Sequence, residues 1–228
     1  MTIDYVSMLV ESRDEKYASF SSKLTPGKDR IIGVRIPRIR EIAKLIVRDD
    51  WSQILGREPE SHEEEILMGI VIATAPVGTE ERISLTEGYL DRVDNWAACD
   101  IFCSSWKLPK KDSGIAWDYF SSLMDSGLEF RMRVSVIARM SLFKDEEHCR
   151  MLLDDLAAHD NPGYYYRMGS AWAVSMIYVR YPEMTEEFLR TGRLEPWTHN
   201  RSIQKIRESL RVSDADKARL AQLRRSVP

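Results

Sequence analysis

The chain has 228 residues, 43% of them hydrophobic and 30% charged, with 33 Lys and Arg against 36 Asp and Glu and a formal net charge of -3 at pH 7. That length and apolar share close a large core, in one compact domain or two tightly joined halves, and exclude a disordered chain. The charge balance excludes a polycation, so a nucleic-acid partner has to be met by a local patch.

Met1, Thr2, Ile3 and Asp4 lack the basic start and apolar run of a signal peptide. Residues 66–77 form the longest apolar stretch, too short to span a bilayer and interrupted by Pro76, so no membrane partner is expected. Cys99, Cys103 and Cys149 are an odd set for a disulfide framework and read as reduced, buried thiols of a cytoplasmic protein.

Gly and Pro fall mostly between stretches of helical length, as at Pro26-Gly27, Pro59, Pro76, Pro109, Pro162-Gly163 and Pro182. Between them apolar residues recur at three and four. Segments 4–12 and 14–24 come first, and Pro37 then opens a helix whose stripe is Ile39, Ile42, Ala43 and Ile46. Helical segments follow at about 62–75, 79–92, 95–106, 112–125, 129–142, 145–158, 164–181, 184–191, 199–211 and 213–225, and no strand hairpin is expected. Periodicity leaves two arrangements open, a globular helical array and a solenoid of stacked antiparallel pairs. No linker or boundary divides residues 1–228, which are expected to form a single domain.

Four segments hold the chemistry-bearing residues. Trp96 and Asp100 stand four apart, hence on one helical face about 5–6 Å from each other, a pattern fitting either a core edge or a site for a cation. Arg131 and Arg133 flank an apolar stripe and point in different directions. Small residues around Gly169, Ser170 and Ala171 permit close packing beside Trp172, which also suits a core position. Thr198 is placed to cap the next helix, whose N-terminus and basic side chains could receive a phosphate. Residues 199–228 hold eight Lys and Arg against three acids, a balance of +5 and the chain's basic-patch candidate. There is no phosphate-cradling Gly-rich loop and no nucleophile elbow, and His62, His148, His159 and His199 have no evident catalytic partner. Cys99, Cys103 and His148-Cys149 make only a weak zinc proposal.

Together with residues 33–40 (Gly-Val-Arg-Ile-Pro-Arg-Ile-Arg), these segments resemble the AlkD-type DNA alkylation repair family from about Tyr17 to about Arg211. The resemblance implies an all-α fold, an α–α superhelix in which HEAT-like antiparallel helix pairs form a curved solenoid with a basic hollow for duplex DNA. It implies a monomeric glycosylase that excises cationic N3- and N7-alkylated purines without a cofactor or metal. Trp96 and Asp100 match the family's tryptophan and aspartate, Arg133 its arginine and Trp172 its second tryptophan. Arg40, Arg201, Lys205 and Arg207 are the expected DNA contacts. The spacer Ala97-Ala98-Cys99 and the net charge of -3 depart from the family pattern, which keeps open a non-catalytic DNA-binding relative or a helical-repeat interaction scaffold.

Overall fold

The structure, a computed structural model, describes residues 3–226. Among them are thirteen α-helices and no strand. The chain divides into two compact units, the first ending at Ala116 and the second beginning at Trp117.

The first unit contains α1 (Tyr5–Glu11), α2 (Glu15–Leu24), α3 (Ile36–Arg48), α4 (His62–Thr74), α5 (Thr79–Leu90) and α6 (Trp96–Ser105), and α7 (Ser113–Ser122) begins in it. α4 lies between α3 and α6 and pairs with α5. It is buried from His62 to Ala73, which is why its sequence is apolar all round rather than along one stripe. α3 is amphipathic: Ile39, Ile42, Ala43 and Ile46 are buried, while Glu41, Lys44 and Arg48 are exposed. Burying those aliphatic side chains contributes about 1.5–3 kcal/mol each. The C-terminal carbonyls of α4 are closed by Arg82 of α5, whose buried guanidinium donates to Ile72, Ala73 and Val77.

The second unit repeats this plan with α8 (Glu129–Leu142), α9 (Glu146–Ala158), α10 (Tyr164–Tyr178), α11 (Pro182–Arg190), α12 (Pro196–Glu208) and α13 (Asp214–Ala221). α10 lies between α8 and α12, and α9, α11 and α13 each pack on the helix before them. Connections of five residues or fewer return the chain at each pair, as expected for antiparallel neighbours. The repeated pairing is that of the α–α solenoid class. Arg139 is wholly buried, ion-paired with Asp155 and stacked 5.2 Å from the Trp117 ring. No helix among the described residues is long and apolar enough to cross a membrane.

Candidate functional site

In the first unit the start of α6 is fixed by Asn95, whose Oδ1 accepts from the Ala98 N–H at 2.9 Å. Asn95 is itself buried and donates to Glu65 of α4 at 3.1 Å, and Glu65 is ion-paired with Lys28 at 2.7 Å. This network ties the N-terminus of α6 to α4 and places Trp96 at the first helical residue. Trp96 is half-buried, and its indole N–H donates to the carbonyl of Leu24, the last residue of α2, at 2.8 Å. Asp100, also half-buried, follows one turn later on the same face.

The other end of α6 meets Arg40. Its guanidinium donates to Ser105 Oγ at 2.7 Å, and that hydroxyl donates to the Ile101 carbonyl at 2.6 Å. Arg40 is aimed by the segment before α3. Buried Glu63 accepts the N–H groups of Ile32, Gly33 and Val34 at 2.9, 2.7 and 3.2 Å. Gly33 has φ +92°, and a Cβ there would lie 2.3 Å from the Asp14 carbonyl oxygen, so glycine is required. Pro37 follows within the first turn of α3, as its sequence position implied. Arg40 borders a cleft of about 390 Å³ that also holds Lys44, Arg48 and Lys107.

In the second unit α8 clasps the first turn of α10. Glu129 accepts the Tyr165 N–H, and Arg133, one turn further along α8, donates to the Tyr165 carbonyl. Arg133 is 5% exposed, and its side chain crosses Gly169, where a Cβ would stand 3.2 Å from Nη1. Trp172 lies one turn after Gly169 and is half-buried rather than core. Arg133 of α8 thus reaches α10 at Gly169, three residues before Trp172, while Arg131 is half-buried on α8.

The basic C-terminal segment differs from its sequence reading. α12 begins at Pro196, and its cap is Glu195 rather than Thr198: the Glu195 carboxylate accepts both the Trp197 and Thr198 N–H groups at 2.9 Å. Those bonds hold its pKa below the usual carboxylate value even though burial opposes them. The place proposed for a phosphate is thus filled from within. Arg201 stacks 5.1 Å from the Trp197 ring centroid, Lys205 is ion-paired with Glu208 at 2.9 Å, and Arg207 is exposed.

The three cysteines are buried and none is in a disulfide, and among the described residues no group of three or more His, Cys, Asp or Glu is arranged around a metal position. Sequence reasoning missed Glu63, Glu129, Lys44, Arg48 and Lys107. The signal for Glu63 was its place in an acidic triplet leading directly into an apolar helix; for Lys44 and Arg48 it was their four-residue spacing from Arg40.

No curated protein and no solved structure matches the chain. The model of the family described as DNA alkylation repair enzyme matches residues 6–209, nearly the whole length, and the chain belongs to that family.

Proposed function

We propose that the protein is a DNA glycosylase that hydrolyses the N-glycosidic bond of N3- and N7-alkylated purines in duplex DNA. The observation that carries this reading is the α6 pair: an indole fixed by its N–H to the α2 backbone, with a half-buried carboxylate one turn away. An alkylated N7 or N3 purine is already cationic, so it departs as a neutral base without being protonated. Positive charge then develops on the deoxyribose, and the Asp100 carboxylate stabilises that oxocarbenium-like sugar and orients the attacking water. Water adds at the anomeric carbon, its proton leaves, and the products are a free base and an abasic site. Trp96 is assigned to packing against the cationic nucleoside, a contact worth about 0.5–2 kcal/mol, and Trp172, in the second unit, to a contact with the DNA. Arg133, held on the α10 backbone, is assigned to a phosphate of the bound duplex.

The test is release of free base from a duplex containing N7-methylguanine under enzyme excess. Asp100→Asn is expected to slow release roughly 10²–10³-fold while leaving the Kd for the same duplex within about twofold. Binding without any release by the wild-type protein would favour the non-catalytic relative, and equal rates in the two proteins would remove Asp100 from the reaction.

A further inference from the structure

α2 ends on the carbonyl that fixes the Trp96 indole, yet the helix has little of its own to keep that carbonyl in place. Among residues 15–28 Thr25 alone is buried, and Phe20 and Leu24 are 57% and 46% exposed. A helix end that buries no side chain frays. The position of Leu24 is set instead by the turn that follows it. Pro26 and Gly27 (φ +90°) reverse the chain, and the Lys28 N–H donates to the Thr25 carbonyl at 3.3 Å. The Lys28 ammonium then lies 2.7 Å from Glu65 Oε2 and 2.5 Å from Asp94 Oδ1. Glu65 is 4% exposed, and its other oxygen, Oε1, accepts from Asn95 Nδ2 at 3.1 Å. An ionised carboxylate has no proton to give, so it admits only the NH₂ end of the Asn95 amide and turns Oδ1 onto the Ala98 N–H.

These bonds close a circuit: the Leu24 carbonyl to the Trp96 indole, Trp96 to its neighbour Asn95, Asn95 to Glu65, Glu65 to Lys28, and Lys28 back along the turn to Leu24. We propose that Lys28 and Glu65 are positioning residues: through Leu24 on one side and Asn95 on the other, a single ion pair sets where the Trp96–Asp100 face of α6 stands. The inference rests on the reading that Trp96 and Asp100 serve the reaction, and it adds the pair that aims them. A carboxylate that stabilises a developing cation acts at short range, and a misplacement of about 1 Å costs on the order of 10²-fold in rate. A neighbouring pair supplies the contrast. Arg92 borders the same cleft as Lys28 and Glu65, but its partners are Glu58, whose side chain is 75% exposed, and the Gly88 carbonyl. That pair holds neither Leu24 nor the cap of α6.

The test follows the Trp96 indole N–H by NMR in isotope-labelled protein, its resonance identified by its loss in Trp96→Phe. Solvent exchange of that proton is compared in the wild-type protein, Lys28→Met/Glu65→Gln and Arg92→Gln. The double variant removes both charges and keeps both chain lengths, so no lone charge is left buried and the fold is expected to persist, as a thermal melt would verify. Trp96 exchange is expected to rise roughly tenfold in the double variant and to keep its wild-type rate in Arg92→Gln. Release of free base from the N7-methylguanine duplex is expected to slow about tenfold in the double variant with Kd within about twofold, a split that loss of the fold would not give. Lys28→Arg, which preserves the cation, is expected to retain both wild-type rates. Unchanged Trp96 exchange in the double variant overturns the assignment, and so does faster exchange with base release unchanged. The readouts also separate this inference from the glycosylase reading. If the wild-type protein releases no base, that reading falls, while faster Trp96 exchange in the double variant still supports the pair's hold on the indole.

Discussion

The basic face of α3 and the basic C-terminal segment show how little a segment's net charge says about the field it presents. Residues 199–228 have a balance of +5, whereas residues 35–50 have five Lys and Arg against three acids, a balance of only +2. The fold narrows that difference, although Arg201 and Arg224 line a cleft of about 250 Å³ with no carboxylate. At the C-terminus Lys205 pairs with Glu208, Lys217 with Asp214, and Arg219 with both Asp216 and Glu186 of α11. The pull of Glu186 and Asp216 raises the Arg219 pKa further above its ordinary value, and Arg225 is spent on the carbonyls of Gly192 and Leu194. On α3 the acids sit on other faces, and Arg40, Lys44 and Arg48 stay together without them. Helical period sorts charges by face, and only unmatched faces attract a polyanion.

The same two regions are anchored by carboxylates of different strength, and removing them gives the largest expected effects. Glu63 is 1% exposed and serves three backbone N–H groups thirty residues away. Glu63→Ala would leave them buried and unmet, and a loss of about 3 kcal/mol is expected in denaturant unfolding. Glu195 is half-buried and caps its own helix, so Glu195→Ala should cost only about 1 kcal/mol. Equal losses would mean that the α3 approach is not held by Glu63. A smaller effect tests the charge argument itself: Glu208→Gln frees Lys205 and should strengthen duplex binding by about two- to threefold. No change would show that the exposed pair was not masking that lysine.

These comparisons also mark what could be read in advance. The α3 stripe was legible because Ile39, Ile42, Ala43 and Ile46 bury one helical face, and the Trp96–Asp100 relation because four residues make one turn. Most helix boundaries followed Pro and Gly, but α10 and α13 end three and four residues before the read limits, α11 starts at Pro182 rather than 184, and at α12 Glu195-Pro196 marked the start while Thr198 drew the reading inward. The rest depended on distance along the chain. Arg219 meets Glu186 thirty-three residues earlier, Arg40 meets Ser105 sixty-five residues later, and Arg133 reaches the Tyr165 carbonyl only because Gly169 lets it pass. A local pattern contains none of these pairings, because each is decided by which helix packs on which.

Acid should weaken both units through one buried histidine in each, and this is the smallest effect expected. His62, at the start of α4, is 5% exposed with Nδ1 unpartnered; His199, on α12, is 1% exposed with Nε2 at 2.8 Å from the Leu223 carbonyl. Burial lowers both pKa values below 6.5, against the attraction of Glu63 for one and the Leu223 bond for the other. Above pH 7.5 both residues are neutral whether the chain is folded or not, so their contribution is complete. As pH falls through 6.5 the unfolded chain takes up protons that the folded one refuses, and stability declines until the folded-state values are reached. Between pH 7.5 and 6.0 the expected loss in Tm is on the order of 1–2 °C per histidine. His199→Gln, whose amide can still donate to Leu223, should flatten the decline by about half, leaving the share that belongs to His62. A variant whose Tm falls as steeply as the wild type's would place the acid sensitivity outside α12.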